Sequence, residues 1–149
     1  MKIKIVAVGK LKNSPMLDLC EEYAKRIGKD ISIKEIDAPK GSTSIVEEPL
    51  ILKNLSNAGI LVALDERGET LSSPDFAKKF DKWQTHAHSD GLTFLIGGAD
   101  GLTDTVRQKA DFLMSFGKQT WPHMLVRVML LEQIYRARQI LAGHPYHRV

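Results

Sequence analysis

Hydrophobic and polar residues along the chain follow two repeating patterns, and the first of them predicts strands. Lys2 to Val8 and Ile31 to Asp37 alternate between apolar and polar residues, which is the period of a strand with one side toward a core. Ile60 to Leu64 and Leu92 to Ile96 are continuous apolar runs of strand length, as in strands buried on both faces. Phe112 to Phe116 predicts a short fifth strand.

Helices are predicted between these strands by the residues that begin and end them. Serine followed by proline, at Ser14 and Ser73, caps the first amides of a helix and suits its first turn. Pro49 falls in or near the first turn of another helix, so that start is placed only between Ser44 and Glu48. The predicted helices run from Ser14 to Gly28, from that uncertain start to Gly59, from Ser73 to about His86, from Thr103 or Asp104 to about Ala110, and from Pro122 onward.

Strands therefore alternate with helices from one end of the chain to the other. This order predicts an α/β fold with a mostly parallel sheet covered by helices on both faces, because parallel neighbours need a crossover helix. Asp65 to Gly68 is predicted to be a turn after the third strand. No repeat, linker or low-complexity segment interrupts residues 1–149, so we interpret them as one domain.

The composition narrows the class of protein. A chain of 149 residues can bury a core without disulfides, and its one cysteine, Cys20, cannot form an internal bridge. Cys20 shares a helical stripe with Leu17 and Ala24, which favours a core residue over a reactive thiol. Because the cysteine usage suits a reducing cytosol and no apolar run fits a signal peptide or a membrane helix, we expect a cytoplasmic protein without a membrane partner.

The charge permits an anionic partner without requiring one. The formal net charge is +3 at pH 7, and the pI is about 9.0. This balance is far from the density of Lys and Arg in proteins that hold nucleic acid by charge alone. If the partner is RNA, shape or a second subunit must supply part of the binding energy.

A glycine-rich loop, Gly97 to Gly101, follows the buried run that ends at Ile96. A strand, a glycine loop and a helix in this order form ligand sites at the carboxyl edge of α/β sheets, because glycine lets backbone amides approach a ligand. The spacing matches neither the dinucleotide fingerprint nor the Walker A loop. A tight strand-to-helix turn without a ligand explains the loop equally well.

Two other segments favour the ligand-binding interpretation. Phe116 to Trp121 also follows a short apolar stretch and precedes a helix, and the turn after Leu64 reaches the same edge of the sheet. Three segments can therefore build one pocket of glycine and apolar residues. With no phosphate-binding lysine and no acid in the usual ribose position, such a pocket suits a neutral or cationic adenosine ligand better than ATP or NAD.

The last predicted helix, over Leu125 to Leu141, carries apolar side chains on every side. We therefore expect it to pack on the sheet and on a partner subunit at once. Glu132 and Arg136 stand four residues apart and are interpreted most simply as a stabilising surface pair. Arg127 and Arg138 fall on one apolar face, where each requires either an anionic substrate group or a structural carboxylate.

The chain ends in an unusual tail. Pro145 prevents the helix from continuing, so the chain turns into residues 146–149. Fraying ends usually hold small polar residues, whereas Tyr146, His147 and Arg148 offer a stacking ring, an imidazole that titrates near neutrality and a guanidinium suited to phosphate. We therefore interpret the tail as functional.

The remaining histidines carry weaker signals. His86 and His88 lie in a polar loop with no third ligand nearby, and no cysteine–histidine spacing fits zinc, so no metal site is predicted. His123, at the start of the last helix, either caps and packs there or lines the pocket.

Six short motifs follow one another along nearly the whole chain. They are Val-Ala-Val-Gly-Lys at 6–10, Ala-Leu-Asp-Glu-Arg-Gly at 63–68, Leu-Ile-Gly-Gly-Ala-Asp-Gly at 95–101, Trp-Pro-His-Met-Leu-Val-Arg at 121–127, Glu-Gln-Ile-Tyr-Arg-Ala at 132–137 and His-Pro-Tyr-His-Arg at 144–148. Each motif alone is weak, whereas their order and spacing are specific. Together they resemble the bacterial ribosomal RNA large subunit methyltransferase H family, which methylates N3 of a pseudouridine in large-subunit rRNA.

The resemblance implies a SPOUT-class α/β fold whose C-terminal segment threads a trefoil knot and whose two subunits pack through that knot as a homodimer. It also implies S-adenosyl-L-methionine as the methyl donor, bound in the knot largely by backbone groups. By position, the cofactor-binding residues would be Leu64, Gly97, Phe116, Gly117, Lys118, Gln119, Thr120 and Trp121. Pro49 and Trp121 depart from the usual family pattern, which puts only local helix geometry in doubt and should leave backbone contacts intact.

The resemblance further implies 23S rRNA, within the large subunit or the assembled ribosome, as the substrate. Tyr146, His147 and Arg148 would then be the catalytic residues, reaching the target base across the dimer. We expect His147 to remove or relay the N3 proton, Arg148 to steady a phosphate or the developing anion, and Tyr146 to position the base.

Two other functions fit parts of the sequence. A non-catalytic RNA-binding module would keep the fold and lose cofactor binding, so calorimetry with S-adenosylmethionine separates it from an enzyme. A flavodoxin-like nucleotide or receiver domain predicts an acidic cluster or a phosphate loop after the first strand, where this chain has Gly9-Lys10-Leu11-Lys12.

Overall fold

The computed structural model describes residues 1–148, and Val149 of the predicted tail lies outside the described residues. Within them, strands alternate with helices as the sequence predicts. The strands are β1 (Ile3–Val8), β2 (Ile31–Ile36), β3 (Ile60–Thr70), β4 (Leu92–Ile96) and β5 (Phe112–Ser115). The helices are α1 (Pro15–Ile27), α2 (Ser44–Lys53), α3 (Ser73–His86), α4 (Asp104–Lys109) and α5 (His123–Leu141).

The strands form one parallel sheet in the order β2-β1-β4-β3-β5, which confirms the predicted parallel sheet. In β1, Ile5 pairs with Ile33 of β2 on one side and with Phe94 of β4 on the other. The chain crosses from β2 at one edge to β3 on the far side of β4. Because all strands are parallel, their carboxyl ends meet at one edge of the sheet.

Helices cover both faces of the sheet and divide the core into two apolar layers. On one face, α1, α3 and α5 bury Cys20, Phe80 and Ile134 against the strands. On the other face, α2 and α4 contribute Ile51 and Val106. Cys20 is 2% exposed, which confirms its prediction as a core residue, and burial raises the pKa of its thiol.

Local sequence explains where the helices begin and end. Four of them start after a side-chain oxygen that accepts a hydrogen bond from the amide three residues on. These caps are Ser14, Thr43, Ser72 and Thr103. α2 therefore begins at Ser44 and contains Pro49. Its predicted end at Gly59 is wrong, because the helix stops at Lys53, where the Asn54 side chain donates to a carbonyl of the last turn over 2.8 Å.

The turn predicted at residues 65–68 is instead a four-residue bulge within β3. Leu64 and Glu69 both pair with Met114 of β5, so the four residues between them project from the ladder. Gly68 lets the bulge approach β5, because a Cβ there would lie 2.6 Å from the β5 backbone. The turn prediction was wrong because pairing resumes after the insertion, and local turn signals do not report pairing.

One side of α5 packs on the sheet, and apolar residues on its other sides are partly exposed to solvent. Leu130 and Ile134 are fully buried, whereas Leu125 and Met129 are half-buried and Leu141 is exposed. The expected burial on all sides is not met within one chain, and the contact with a second subunit stays a prediction. Across residues 1–148, no helix is both long and apolar enough to cross a membrane.

Gly91, at the entry to β4, offers a test of how tightly the strand ends pack. Its φ is +74°, and a Cβ there would lie 2.3 Å from the Lys2 carbonyl oxygen. We expect Gly91→Ala to lower the free energy of unfolding in urea by about 3 kcal/mol or more, because a clash adds to the strain of positive φ. Gly41→Ala is the matched control, since its φ is +71° and nothing lies within 4 Å of the added Cβ. We expect the control to cost about 1 kcal/mol, and equal losses would contradict this packing.

Candidate active site

A cavity of about 640 Å³ opens at the carboxyl edge of the sheet. Its walls come mainly from three segments, residues 64–67, 96–102 and most of 115–123. These segments are the bulge of β3 and the loops after β4 and β5. α/β folds place ligands at this edge, and the volume is typical of a small-molecule site.

The structure brings together seven of the eight residues predicted to bind the cofactor. They are Leu64, Gly97, Phe116, Gly117, Gln119, Thr120 and Trp121. Lys118 belongs to the same loop but does not line the cavity. The three predicted segments therefore converge on one pocket, and the identity of its ligand stays a prediction.

The glycine loop 97–101 folds back on itself at the cavity. The Gly101 N–H donates to the Gly98 carbonyl over 3.0 Å. At the start of α2, the Ser44 N–H donates to the Asp100 carboxylate over 2.7 Å, so α2 anchors the loop. The glycines make a tight turn, and the same residues line the cavity.

The loop 115–121 is shaped by its own hydrogen bonds. The Ser115 hydroxyl donates to the Gly117 carbonyl over 2.8 Å and accepts from the Gly117 N–H over 3.1 Å. Thr120 donates to Glu66 in the β3 bulge over 2.9 Å. Sequence reasoning missed Ser115 and Glu66, because a hydroxyl in a short strand and a carboxylate in a predicted turn give no specific signal.

Charged side chains at the cavity leave its wall electronegative. Arg107 is paired with Asp65, with 2.9 Å between its Nε and the carboxylate. The lining holds the carboxylates of Asp65, Glu66 and Asp100 against the guanidinium groups of Arg67 and Arg107, which leaves one net negative charge. Such a wall favours a cationic ligand over one that carries phosphate.

His123 lines the cavity one helical turn before the buried Arg127. The Arg127 guanidinium lies 2.6 Å from Glu35 and donates to the Gly9 carbonyl over 3.2 Å. Burial, and after it the charge of Arg127, lower the pKa of His123 against the opposing effect of Glu47. The imidazole beside the cavity therefore favours its neutral form.

Both arginines that the sequence placed among apolar residues form structural ion pairs. Arg127 pairs with Glu35, and Arg138 lies 2.9 Å from Asp30. Within residues 1–148, the structure thus favours the structural carboxylate over the anionic substrate for both. Sequence reasoning could not name Glu35 or Asp30, because only the tertiary fold brings them to α5.

The tail lies against the middle of α5, held by Glu132 and Arg136. These two form a two-point ion pair, with Nε–Oε1 and Nη2–Oε2 distances of 3.0 Å and 2.6 Å. The Tyr146 hydroxyl donates to Glu132 over 2.9 Å, and Arg136 Nη1 lies 3.0 Å from His147 Nδ1. The predicted pair of Glu132 and Arg136 is confirmed, but its interpretation as a surface feature was wrong, because both side chains are half-buried and hold the tail.

These contacts set the chemistry of the tail. Burial, together with the hydrogen bond to Glu132, raises the pKa of Tyr146 to about 12, so its hydroxyl is protonated at neutral pH. Burial alone would raise the pKa of Glu132, but the hydrogen bonds from Arg136 and Tyr146 lower it. Because an arginine only donates, His147 Nδ1 accepts and a neutral ring carries its proton on Nε2. Arg148 is exposed.

The tail and the cavity lie apart within one chain. The last residue of α5 in the cavity wall is Val126, and Glu132 under the tail follows it by six positions, which is about 9 Å along the helix axis. None of residues 144–148 lines the cavity. The structure therefore does not bring Tyr146, His147 and Arg148 together with the predicted cofactor-binding residues.

The histidines near the end of α3 lie away from this cavity. His86 Nδ1 lies 2.7 Å from the Lys82 carbonyl oxygen, and His88 is exposed. Residues 1–148 hold no group of three or more His, Cys, Asp or Glu side chains that could bind a metal ion.

Comparison with known proteins gives matches over the full chain. Residues 1–147 match a family model described as Predicted SPOUT methyltransferase. A curated protein named ribosomal RNA large subunit methyltransferase H, from Rhodospirillum centenum, is 49% identical over 152 residues, which cover 99% of this chain and 99% of that protein. A protein of the same name from Dinoroseobacter shibae is 45% identical over 157 residues, covering 100% of both chains.

Solved structures share the fold at low sequence identity. A probable methylase family protein from Haemophilus influenzae aligns with a TM-score of 0.57 at 12% identity, covering 95% of this chain and 66% of its own. The SpoU methyltransferase AviRb from Streptomyces viridochromogenes, solved in complex with the cofactor AdoMet, aligns with a TM-score of 0.50 at 12% identity, covering 96% of this chain and 59% of its own. The predicted SPOUT-type fold is thereby confirmed, and the trefoil knot stays a prediction.

Proposed function

This chain belongs to the ribosomal RNA large subunit methyltransferase H family of SPOUT methyltransferases, and from that membership we propose that it methylates N3 of a pseudouridine in 23S rRNA with S-adenosylmethionine as donor. The convergence of three loop segments on one electronegative cavity carries the proposal. S-adenosylmethionine combines an adenosine with a sulfonium cation, which is the ligand class that such a cavity suits. A ribosomal substrate also implies a cytoplasmic protein.

The residues of the cavity fit this donor. Leu64, Phe116 and Trp121 offer apolar surface to an adenine ring, and Gly97 and Gly117 open backbone groups to the ligand. When bound, S-adenosylmethionine supplies an electrophilic methyl group on a positively charged sulfur. An uncharged His123 adds no positive charge beside it, which supports binding of a cation.

We place the acceptor base between this cavity and the tail of a second subunit. Within one chain the tail contact at Glu132 lies about 9 Å along α5 from Val126 in the cavity wall. Half-buried apolar residues on α5, such as Leu125 and Met129, provide surface for a partner. A homodimer packed through α5 would carry the tail of one subunit to the cavity of the other, as the resemblance implies.

The three tail residues then have separate roles. Tyr146 keeps its proton at neutral pH and positions the base by packing and hydrogen bonding. Arg148 is exposed, and its guanidinium suits an RNA phosphate or the charge that develops on the base. His147 takes or relays the N3 proton, and for this Arg136 must release Nδ1, which accepts its hydrogen bond in the single chain.

Methylation of ribosomes tests the proposal directly. We expect the purified protein to add one methyl group to one pseudouridine in ribosomes from a strain that lacks this enzyme, mapped by mass spectrometry of the rRNA. His147→Ala should slow single-turnover methylation by about 100-fold at neutral pH, because the N3 proton loses its acceptor. His88→Ala, an exposed histidine outside the site, is the control and should leave the rate unchanged. An unchanged rate for His147→Ala at every pH would refute the base role, and an absent methyl group would refute the function.

A further inference from the structure

Glu47 is a buried carboxylate that the proposed reaction does not use. It lies in the first turn of α2 and is 3% exposed. Its Oε2 accepts from the Ser42 hydroxyl over 2.6 Å, while its Oε1 has no hydrogen-bond partner. An unpartnered buried carboxylate oxygen is costly to stability, which points to a functional reason for its presence.

Gly98 places this carboxylate directly behind the cavity wall. A Cβ added to Gly98 would lie 2.8 Å and 2.9 Å from the two Glu47 oxygens, so glycine lets the loop backbone rest against them. Gly98 itself lines the cavity. A single layer of backbone therefore separates the charge of Glu47 from the ligand space.

No cation of the described residues neutralises Glu47. The ion pairs of residues 1–148 do not include it. Arg127, the one buried cation in that part of the chain, is already paired with Glu35 over 2.6 Å. Because little water screens a buried charge, its field reaches the cavity, where it adds to the net negative lining.

We propose that Glu47 makes the cavity prefer the sulfonium methyl donor over its demethylated product. This inference rests on the proposed function, since the cavity must bind S-adenosylmethionine. The donor carries a positive charge on sulfur that S-adenosylhomocysteine lacks, and the other charged groups of the two molecules are the same. Methyl transfer leaves the bonding electron pair on sulfur, which becomes a neutral thioether, so the attraction to Glu47 ends and the product is released.

Glu47→Gln tests the proposal, because it removes the charge while keeping the size and the contact with Ser42. Titration calorimetry of the full chain gives separate dissociation constants for S-adenosylmethionine and S-adenosylhomocysteine. We expect the variant to weaken binding of S-adenosylmethionine at least about fivefold and to leave binding of S-adenosylhomocysteine within about twofold. Glu48→Gln is the matched control, since Glu48 is half-buried and accepts from Thr103 over 2.5 Å, and it should leave the ratio of the two constants unchanged.

The possible outcomes separate this inference from the function on which it rests. Equal weakening of both ligands by Glu47→Gln, or no change in either, overturns the inference. Failure of the wild-type protein to bind either ligand overturns the proposed function and the inference with it. If Glu47→Gln does not fold, as judged by thermal unfolding, Glu47→Leu removes the same charge with an apolar side chain of similar volume. The ratio of its dissociation constants for S-adenosylmethionine and S-adenosylhomocysteine then tests the inference in the same way.

Discussion

Mixing two inactive variants should restore about a quarter of wild-type methylation, because the proposed site joins the cavity of one subunit to the tail of the other. The first variant, His147→Ala, has an intact cavity and a defective tail. The second, Ala99→Trp, keeps the tail and fills the cavity, whose wall includes Ala99. Each alone should lose about 100-fold in single-turnover rate.

The expected fraction follows from the statistics of subunit exchange. Equal mixing makes half of the dimers mixed, and each mixed dimer holds one site with an intact cavity and an intact tail and one site with neither. If each tail instead served the cavity of its own chain, a mixed dimer would hold no complete site. Activity no higher than that of the two separate variants would therefore refute the shared site.

A second mixture controls for nonspecific rescue. His147→Ala mixed with Tyr146→Ala combines two defective tails with intact cavities, so no dimer contains a complete tail and no activity should return. Calorimetry with S-adenosylmethionine should show binding by both tail variants and none by Ala99→Trp.

The fold could be predicted from the sequence wherever local signals and tertiary pairing agree. The buried runs that became β3 and β4 are too apolar for any surface element, and Ser14 and Thr103 cap helices in the predicted places. The turn predicted at residues 65–68 failed because pairing with a distant segment decided the outcome. Leu64 and Glu69 rejoin the same strand across a bulge, which no pattern within 65–68 could reveal.

In the candidate site, too, some features could be predicted from local sequence and others depended on tertiary contacts. The loops that follow parallel strands lie at one edge of the sheet, so the cavity could be predicted once a parallel sheet was inferred. The roles of Glu132 and Arg136 could not, because a pair four residues apart on a helix already has a sufficient local explanation. The proposed role of Glu47 could not be predicted either, since it depends on the contact with Gly98, which only the tertiary structure supplies.

Arg127→Met should lower the free energy of unfolding by about 2 kcal/mol, because it removes a buried guanidinium and leaves the half-buried Glu35 and the Gly9 carbonyl without their partner. Arg127 is 2% exposed and holds both Glu35 and the Gly9 carbonyl, so it joins α5 to the ends of β1 and β2. Arg138→Met is the matched control on the same helix, since its pair with Asp30 is far more exposed, and it should cost about 1 kcal/mol or less. Urea unfolding at neutral pH measures both, and equal losses would contradict the special role of Arg127.

Lowering the pH should reduce the difference in unfolding free energy between wild type and Arg127→Met. Burial alone would raise the pKa of Glu35, but the hydrogen bonds from the Leu11 N–H and from Arg127 bring it below its ordinary value of 4.5. A carboxyl whose pKa is lowered by folding stabilises the protein above its unfolded pKa, and this contribution is lost as the pH falls through the folded value. Wild type therefore loses its Glu35–Arg127 stabilisation only below about pH 4.5. Arg127→Met retains the Leu11 hydrogen bond and the charge of Lys10, so it has less stabilisation to lose. The difference in unfolding free energy between the two proteins should stay constant from neutral pH down to about 4.5 and become smaller below that pH. If the difference stays constant below pH 4.5 as well, the ion pair is not the source of the difference.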